Sequence, residues 1–138
     1  MARLTYILDT NVIADRMKAI EPVSQRLTDF VSAGHRIYLC QPVYYEIMRG
    51  LLKINATRKL RFFQNTIMPL LDWLPLTDAD WRQAAQFWAD TRSAGKQLSD
   101  TDLLVAALAK RLDAIIISND ADFDALPVKR ENWRTPLK

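Results

Sequence analysis

Four acidic residues stand at positions where a shared site, rather than solvent contact, would explain them. Asp9 closes the apolar run of YILDTNV, Glu46 lies inside PVYYEIMRGL, Asp102 falls within SDTDLLVAALA, and Asp120 follows AIIISN. Carboxylates gathered from such scattered positions repel one another, and crowding forces some of them to protonate. A divalent cation removes that penalty and inverts the local electrostatics. An all-oxygen donor set suits Mg²⁺ or Mn²⁺ rather than zinc. The chemistry it supports is displacement at phosphorus by a water of lowered pKa. Each acid also has a plainer reading. Asp9 can be the polar stop of a strand or turn. Asp102 can be the acid of a capping box, favoured by the helix dipole. Asp120 can cap a short helix starting near Asp122, and Glu46 can be a solvated helix residue. The choice depends on the elements that carry the four.

Short apolar runs at Leu4–Leu8, Arg36–Cys40 and Ala114–Ser118 read as strands, with a weaker one at Leu71–Leu74. The unbroken β-branched AIIIS predicts burial on both faces. Between these runs lie helical patterns. Pro42 suits a first turn, and Val43, Ile47, Leu51 and Ile54 follow at helical spacing. Thr77 with Asp80 and Ser99 with Asp102 both have capping-box spacing. Trp81, Ala84, Ala85 and Trp88 fall on one predicted face, and with Phe87 the tryptophans are expected in the core. Strands alternating with helices predict an α/β fold, a mainly parallel sheet covered on both sides. In such a sheet Asp9 and Asp120 leave the carboxyl ends of strands, where ligands bind. Glu46 rises from the same pole, early in the helix after the second strand. Asp102 starts a helix that feeds the AIIIS strand, so its start is back at the carboxyl pole. Topology brings all four acids to one side.

Length, composition and charge bound the rest. The chain's 138 residues, 49% hydrophobic, suit one domain spanning 1–138 with a full core. The net charge of +3 is compatible with a nucleic-acid partner without demanding one. Cys40 is the only cysteine and His35 the only histidine, which argues against a disulfide framework, a Cys-based zinc site or a Ser-His-Asp triad. His35 is expected to be a surface or structural residue. Neither GxGxxG nor a Walker A lysine motif occurs. The apolar run after Met1–Arg3 is too short for a signal peptide, and none reaches membrane-spanning length. The expectation is a cytoplasmic protein with no membrane partner. The glycines, Gly34, Gly50 and Gly95, each fall where a helix could end.

The ordered set LDTNV (Leu8–Val12), YYEIMRGL (Tyr44–Leu51), SDTDLLVAALA (Ser99–Ala109) and ISNDADF (Ile117–Phe123), closing with KRENW (Lys129–Trp133), resembles a PIN-domain ribonuclease. It is most similar to the VapC toxins of toxin–antitoxin pairs, over nearly the whole chain. The resemblance implies a three-layer α/β/α domain with a central, mainly parallel sheet of four to five strands. It implies a catalytic quartet at Asp9, Glu46, Asp102 and Asp120, with Asp9, Asp102 and Asp120 as metal ligands and Glu46 acting on the attacking water. Asn11 matches the polar companion of the first acid. Ser118 stands where the family often has threonine. Mg²⁺, replaceable by Mn²⁺, RNA as substrate, a homodimer and a VapB-like antitoxin are likewise implied. Asp100 is expected to face solvent and Asp122 to be structural.

Phosphate-holding side chains are expected at Arg49 and Lys53, which share a helix face with Glu46, while Arg58, Lys59 and Arg61 read as a solvated charge run. Phe62, Phe63 and Ile67 form an apolar stripe suited to a dimer or antitoxin contact. Two rival readings remain. A haloacid-dehalogenase-like phosphatase would need a second acid two residues after Asp9, where Asn11 stands. A PIN-like module that binds RNA or protein without cutting would not need the intact quartet.

Overall fold

The computed structural model describes residues 4–135; Met1–Arg3, and with them the expectation about a leader, lie outside these. Strands β1 (Thr5–Leu8), β2 (Arg36–Cys40), β3 (Asp72–Leu74), β4 (Ile115–Ile117) and β5 (Lys129–Glu131) form one sheet in the order β3-β2-β1-β4-β5. Every neighbouring pair is parallel. The apolar runs explain the centre. Tyr6, Ile7 and Leu8 on β1 and Ile116 and Ile117 on β4 are buried regardless of which face they point to, so the middle of the sheet is covered on both sides. β5 reads KRE and has no apolar signal, because an edge strand needs only the backbone ladder on one side. That is why it escaped the strand reading.

The helices are α1 (Thr10–Met17), α2 (Val23–Ser32), α3 (Gln41–Lys53), α4 (Thr57–Phe62), α5 (Asp78–Ser93) and α6 (Asp100–Leu112). α6 is the central one: Leu103 to Ala109 are all buried, and the helix touches β1, β4, α3 and α5. α2 packs on β2 and α1. α5 begins with the predicted box, since the Thr77 hydroxyl accepts the Asp80 N–H and the Asp80 carboxylate accepts the Thr77 N–H at 2.8 Å. The same carboxylate receives a two-pronged bond from Arg111 at 2.8 and 3.1 Å, tying α5 to α6.

Three expectations are corrected. Trp81 and Trp88 are not in the core but 57% and 44% exposed. α5 buries the Asp80, Ala84, Phe87, Thr91 stripe, and at about 100° per residue the two indoles fall on the neighbouring face. Phe63 and Ile67 are fully buried, because a π-helical turn at Phe63–Ile67 continues α4 inward. Of the expected stripe only Phe62 remains partly accessible. Gly50 lies inside α3, whereas Gly34 and Gly95 follow α2 and α5 at φ of 80° and 77°, where glycine is favoured. His35 is structural: its Nδ1 accepts the Leu4 N–H at 3.2 Å and its ring stands edge-on to Tyr6.

Candidate active site

Asp9 is 3% exposed at the end of β1. It occupies the N-cap position of α1 yet makes no side-chain cap bond, so the plain reading of a helix or turn stop does not account for it. Its Oδ2 instead accepts the Ser118 hydroxyl at 2.8 Å and the Asn11 amide at 3.0 Å. Asn11 also donates to Ser118 Oγ at 3.1 Å and accepts the Asn119 N–H at 3.2 Å. The ends of β1 and β4, far apart in sequence, are laced together by these two side chains.

Asp102 is the third residue of α6, within its first turn. Ser99 Oγ accepts its N–H at 3.1 Å, but the reciprocal bond that completes the box at Thr77 is not formed. Burial, and then the charges of Asp9 and Asp120, push the Asp102 carboxyl up to about 7; the Ser99 hydroxyl opposes this and Glu46 adds to it. Burial also raises the Asp9 carboxyl, opposed by the Ser118 hydroxyl and the Thr10 amide and reinforced by Glu46 and Asp120. These shifts require the four carboxylates to lie within one another's field, which is the convergence that topology predicts. Asp120 does in part what its plain reading says, since its Oδ1 accepts the Asp122 N–H at 2.9 Å; Oδ2 is not used in that bond. Glu46 is part-buried on α3, with Arg49 Nη2 3.8 Å from its Oε2. The Arg49 guanidinium lies 5.1 Å from the centre of the Tyr45 ring, and Lys53 is exposed at the end of α3. Asp100 and Asp122 are exposed.

The donor set fits a divalent cation that prefers oxygen and keeps part of its water shell. Among the described residues no three acidic, histidine or cysteine side chains close a ready-made cage. A cation at this edge would take the rest of its coordination shell from water, as Mg²⁺ commonly does. Cys40 is buried at the end of β2, and burial pushes its thiol up to about 12.

The crowding has a measurable consequence. A carboxyl whose pKa is higher folded than unfolded opposes folding when ionised, and the opposition fades as pH drops through the folded value. Metal-free protein is therefore expected to melt at higher temperature at about pH 5.5 than at about pH 8.5, with Asp102, at about 7, titrating in that window. Saturating Mg²⁺ should shrink the difference by stabilising the high-pH form. Melting curves in chelator with the opposite trend would contradict the crowding.

Two polar contacts elsewhere in the structure were not legible in sequence. Arg130 of β5 donates to the Ser118 carbonyl, and Arg134 makes a two-pronged bond to Asp15 of α1 at 2.6 and 2.6 Å. Both link residues remote in the chain, and no local pattern announces such pairs.

Fold and site together define an α/β domain whose doubly covered parallel sheet gathers four carboxylates at its carboxyl edge. The chain belongs to the PIN domain family, whose model matches residues 6–129. Ribonuclease VapC11 from Mycobacterium tuberculosis is 38% identical over 96 residues, an alignment covering 66% of each chain. The chain thus spans about two thirds of the length of the curated relatives it matches. VapBC from Salmonella typhimurium superposes with a TM-score of 0.83 at 21% identity, covering 94% of this chain and 98% of that one. FitAcB from Neisseria gonorrhoeae gives 0.81 at 24%, covering 94% and 99%. At those identities the structures establish the shared fold, including the three-layer arrangement expected from the sequence. No helix among the described residues is long and apolar enough to cross a membrane.

Proposed function

We propose that this chain is a Mg²⁺-dependent endoribonuclease, the toxin of a VapBC-type toxin–antitoxin pair, working in the cytoplasm as a homodimer. The observation that carries the reading is the convergence of Asp9, Glu46, Asp102 and Asp120 from four segments, crowded enough to hold the Asp102 carboxyl at about 7. Asp9, Asp102 and Asp120 are the metal ligands. A divalent ion held there would supply shielding of the phosphate charge and a water of lowered pKa. Glu46 orients the attacking water and takes its proton. Asn11 and Ser118 fix the rotamer of Asp9 by the bonds described above. Arg49 and Lys53, one and two turns along α3 from Glu46, hold backbone phosphates of the RNA. The test is cleavage of RNA by antitoxin-free protein with Mg²⁺ or Mn²⁺ against a chelator control. RNA bound but never cut under those conditions would favour the non-cutting module, and a phospho-aspartyl intermediate trapped on Asp9 would favour the phosphatase.

The partners follow the same reading. The Salmonella typhimurium neighbour is a VapBC complex, and a VapB-like antitoxin is the expected inhibitor of this chain. A second copy of the chain is the occupant that suits the groove of about 850 Å³ between α3, α5 and α6. Tyr45, Trp81 and Trp88 line it at 59%, 57% and 44% exposure, a larger apolar display than scattered surface residues make. A two-fold contact through one such face covers both copies of it at once. Trp81→Glu is expected to convert the dimer to a monomer in light scattering while leaving the melting temperature of the subunit within a few degrees. An unchanged dimer would remove this face from consideration.

A further inference from the structure

Asp120 is carried by the least supported part of the site. It leaves β4 through Ser118 and Asn119 and leads into a single 3-10 turn, Ala121–Ala125, with Asp122 and Asp124 exposed. Four mutually repelling carboxylates would push such a loop outward. One side chain from the edge strand β5 closes it. Arg130 donates from Nε and Nη2 to the two Asp124 carboxylate oxygens at 3.0 and 2.9 Å, and from Nη1 to the Ser118 carbonyl at 3.2 Å. A single guanidinium thus spans the loop from its first residue to its far side, a three-bond fork that lysine cannot reproduce. Next to it the Ser118 N–H donates to the Glu131 carbonyl at 3.0 Å.

The clamped residue is also the hub of the site. Ser118 Oγ accepts the Asp120 N–H at 3.0 Å and donates to Asp9 Oδ2, so the position of Ser118 sets two of the acids at once. The Asp120 charge reaches the Arg130 guanidinium and helps raise its pKa, after the larger effect of the Asp124 bond. No ion pair joins Arg130 to Asp120 directly among the described residues, so the cation offsets that charge without occupying it.

We propose that Arg130 is a positioning residue for metal binding: by bridging Asp124 and the Ser118 carbonyl, it holds the Asp120 loop in register with Asp9. The proposal rests on the metal-site reading given above. It goes beyond the quartet, because Arg130 lies past the residues that the family model matches.

The experiment measures binding of Mn²⁺, as a spectroscopic substitute for Mg²⁺, by the full chain, together with thermal melting and without reference to RNA cleavage. Arg130→Ala is expected to weaken Mn²⁺ binding by about 10-fold or more, the range seen when groups that orient metal ligands are lost. Arg130→Lys keeps the charge but not the fork and should stay close to the alanine variant. Asp124→Asn, an exposed change that leaves the fold alone, should weaken binding in the same direction by less. Lys129→Ala, whose partner is the surface residue Asp113, should leave binding unchanged. Mn²⁺ affinity within about twofold of wild type in Arg130→Ala, or full rescue by lysine, would overturn the proposal. Asp120→Asn separates the two layers of inference. If it too binds Mn²⁺ normally, the metal-site reading has failed; if it loses binding while Arg130→Ala does not, only the positioning role has.

Discussion

Asp9→Asn is expected to yield a folded protein that no longer cuts RNA. The substitution keeps the size of the side chain and an oxygen able to accept the Ser118 hydroxyl and the Asn11 amide. It removes one unit of charge from a cluster in which burial and like charge already raise two carboxyls. Loss of a group that merely orients a ligand costs about 10–100-fold, so loss of a ligand's charge should cost at least about 100-fold in cleavage rate. Stability should move the other way. With one repulsive charge gone, the metal-free variant should melt no lower than wild type at about pH 8, and Mg²⁺ should no longer raise its melting temperature. Cleavage rate, melting temperature and the Mg²⁺ response are read on the same preparation. A well-folded variant that cuts at the wild-type rate would remove Asp9 from the mechanism. A variant that is inactive because it is unfolded would instead place Asp9 in the structure alone.

Trp133→Ala should be the most damaging single change to the fold. Trp133 is 1% exposed and packs edge-on to Phe30 of α2 at 4.9 Å and beside Tyr6 of β1 at 6.2 Å. Truncating a buried indole of this kind costs about 3–5 kcal/mol. Its Nε1–H finds no acceptor among the described residues, so Trp133→Phe, which removes that unmet donor along with part of the volume, should cost clearly less. The same segment is held by Arg26, which donates to the carbonyls of Asn132 and Thr135, and by the Arg134 bond to Asp15. Arg134→Ala leaves a buried carboxylate without its partner, but the guanidinium is half exposed and water screens the pair, so the change should cost less than Trp133→Ala. Denaturant unfolding of the three variants gives the order directly. Equal stability of Trp133→Ala and wild type would mean that the C-terminal segment does not hold α2 to the sheet.

Much of this molecule could be read before its structure was known, where the signal is local. The β-branched run before Ser118 is a buried strand because nothing else accommodates consecutive isoleucines so readily, and the Thr77 box starts a helix because its two bonds lie within four residues. The placement of Asp9, Glu46, Asp102 and Asp120 at one edge was also legible, since it follows from chain direction in a parallel sheet and needs no distances. Apart from the unread edge strand β5 and the place of Gly50 inside α3, the misreadings concern faces. Trp81 and Trp88 have helical spacing, as expected, but which stripe of α5 is buried is set by where α6 lies, and periodicity alone does not tell adjacent stripes apart. Phe63 and Ile67 went inward for the same kind of reason.

Residue types and their order along the chain settled the central strands, the main helices, the parallel topology and the pole at which the acids gather, because propensity, capping and strand direction act over short stretches. Tertiary packing alone settled the crowding that raises Asp102, the lacing of Asp9 to Ser118 and Asn11, and the clamp of Arg130 across the Asp120 loop. Those are relations between segments up to a chain length apart. They depend on distances of a few ångströms and on desolvation, and both exist only once the sheet has brought its strands together.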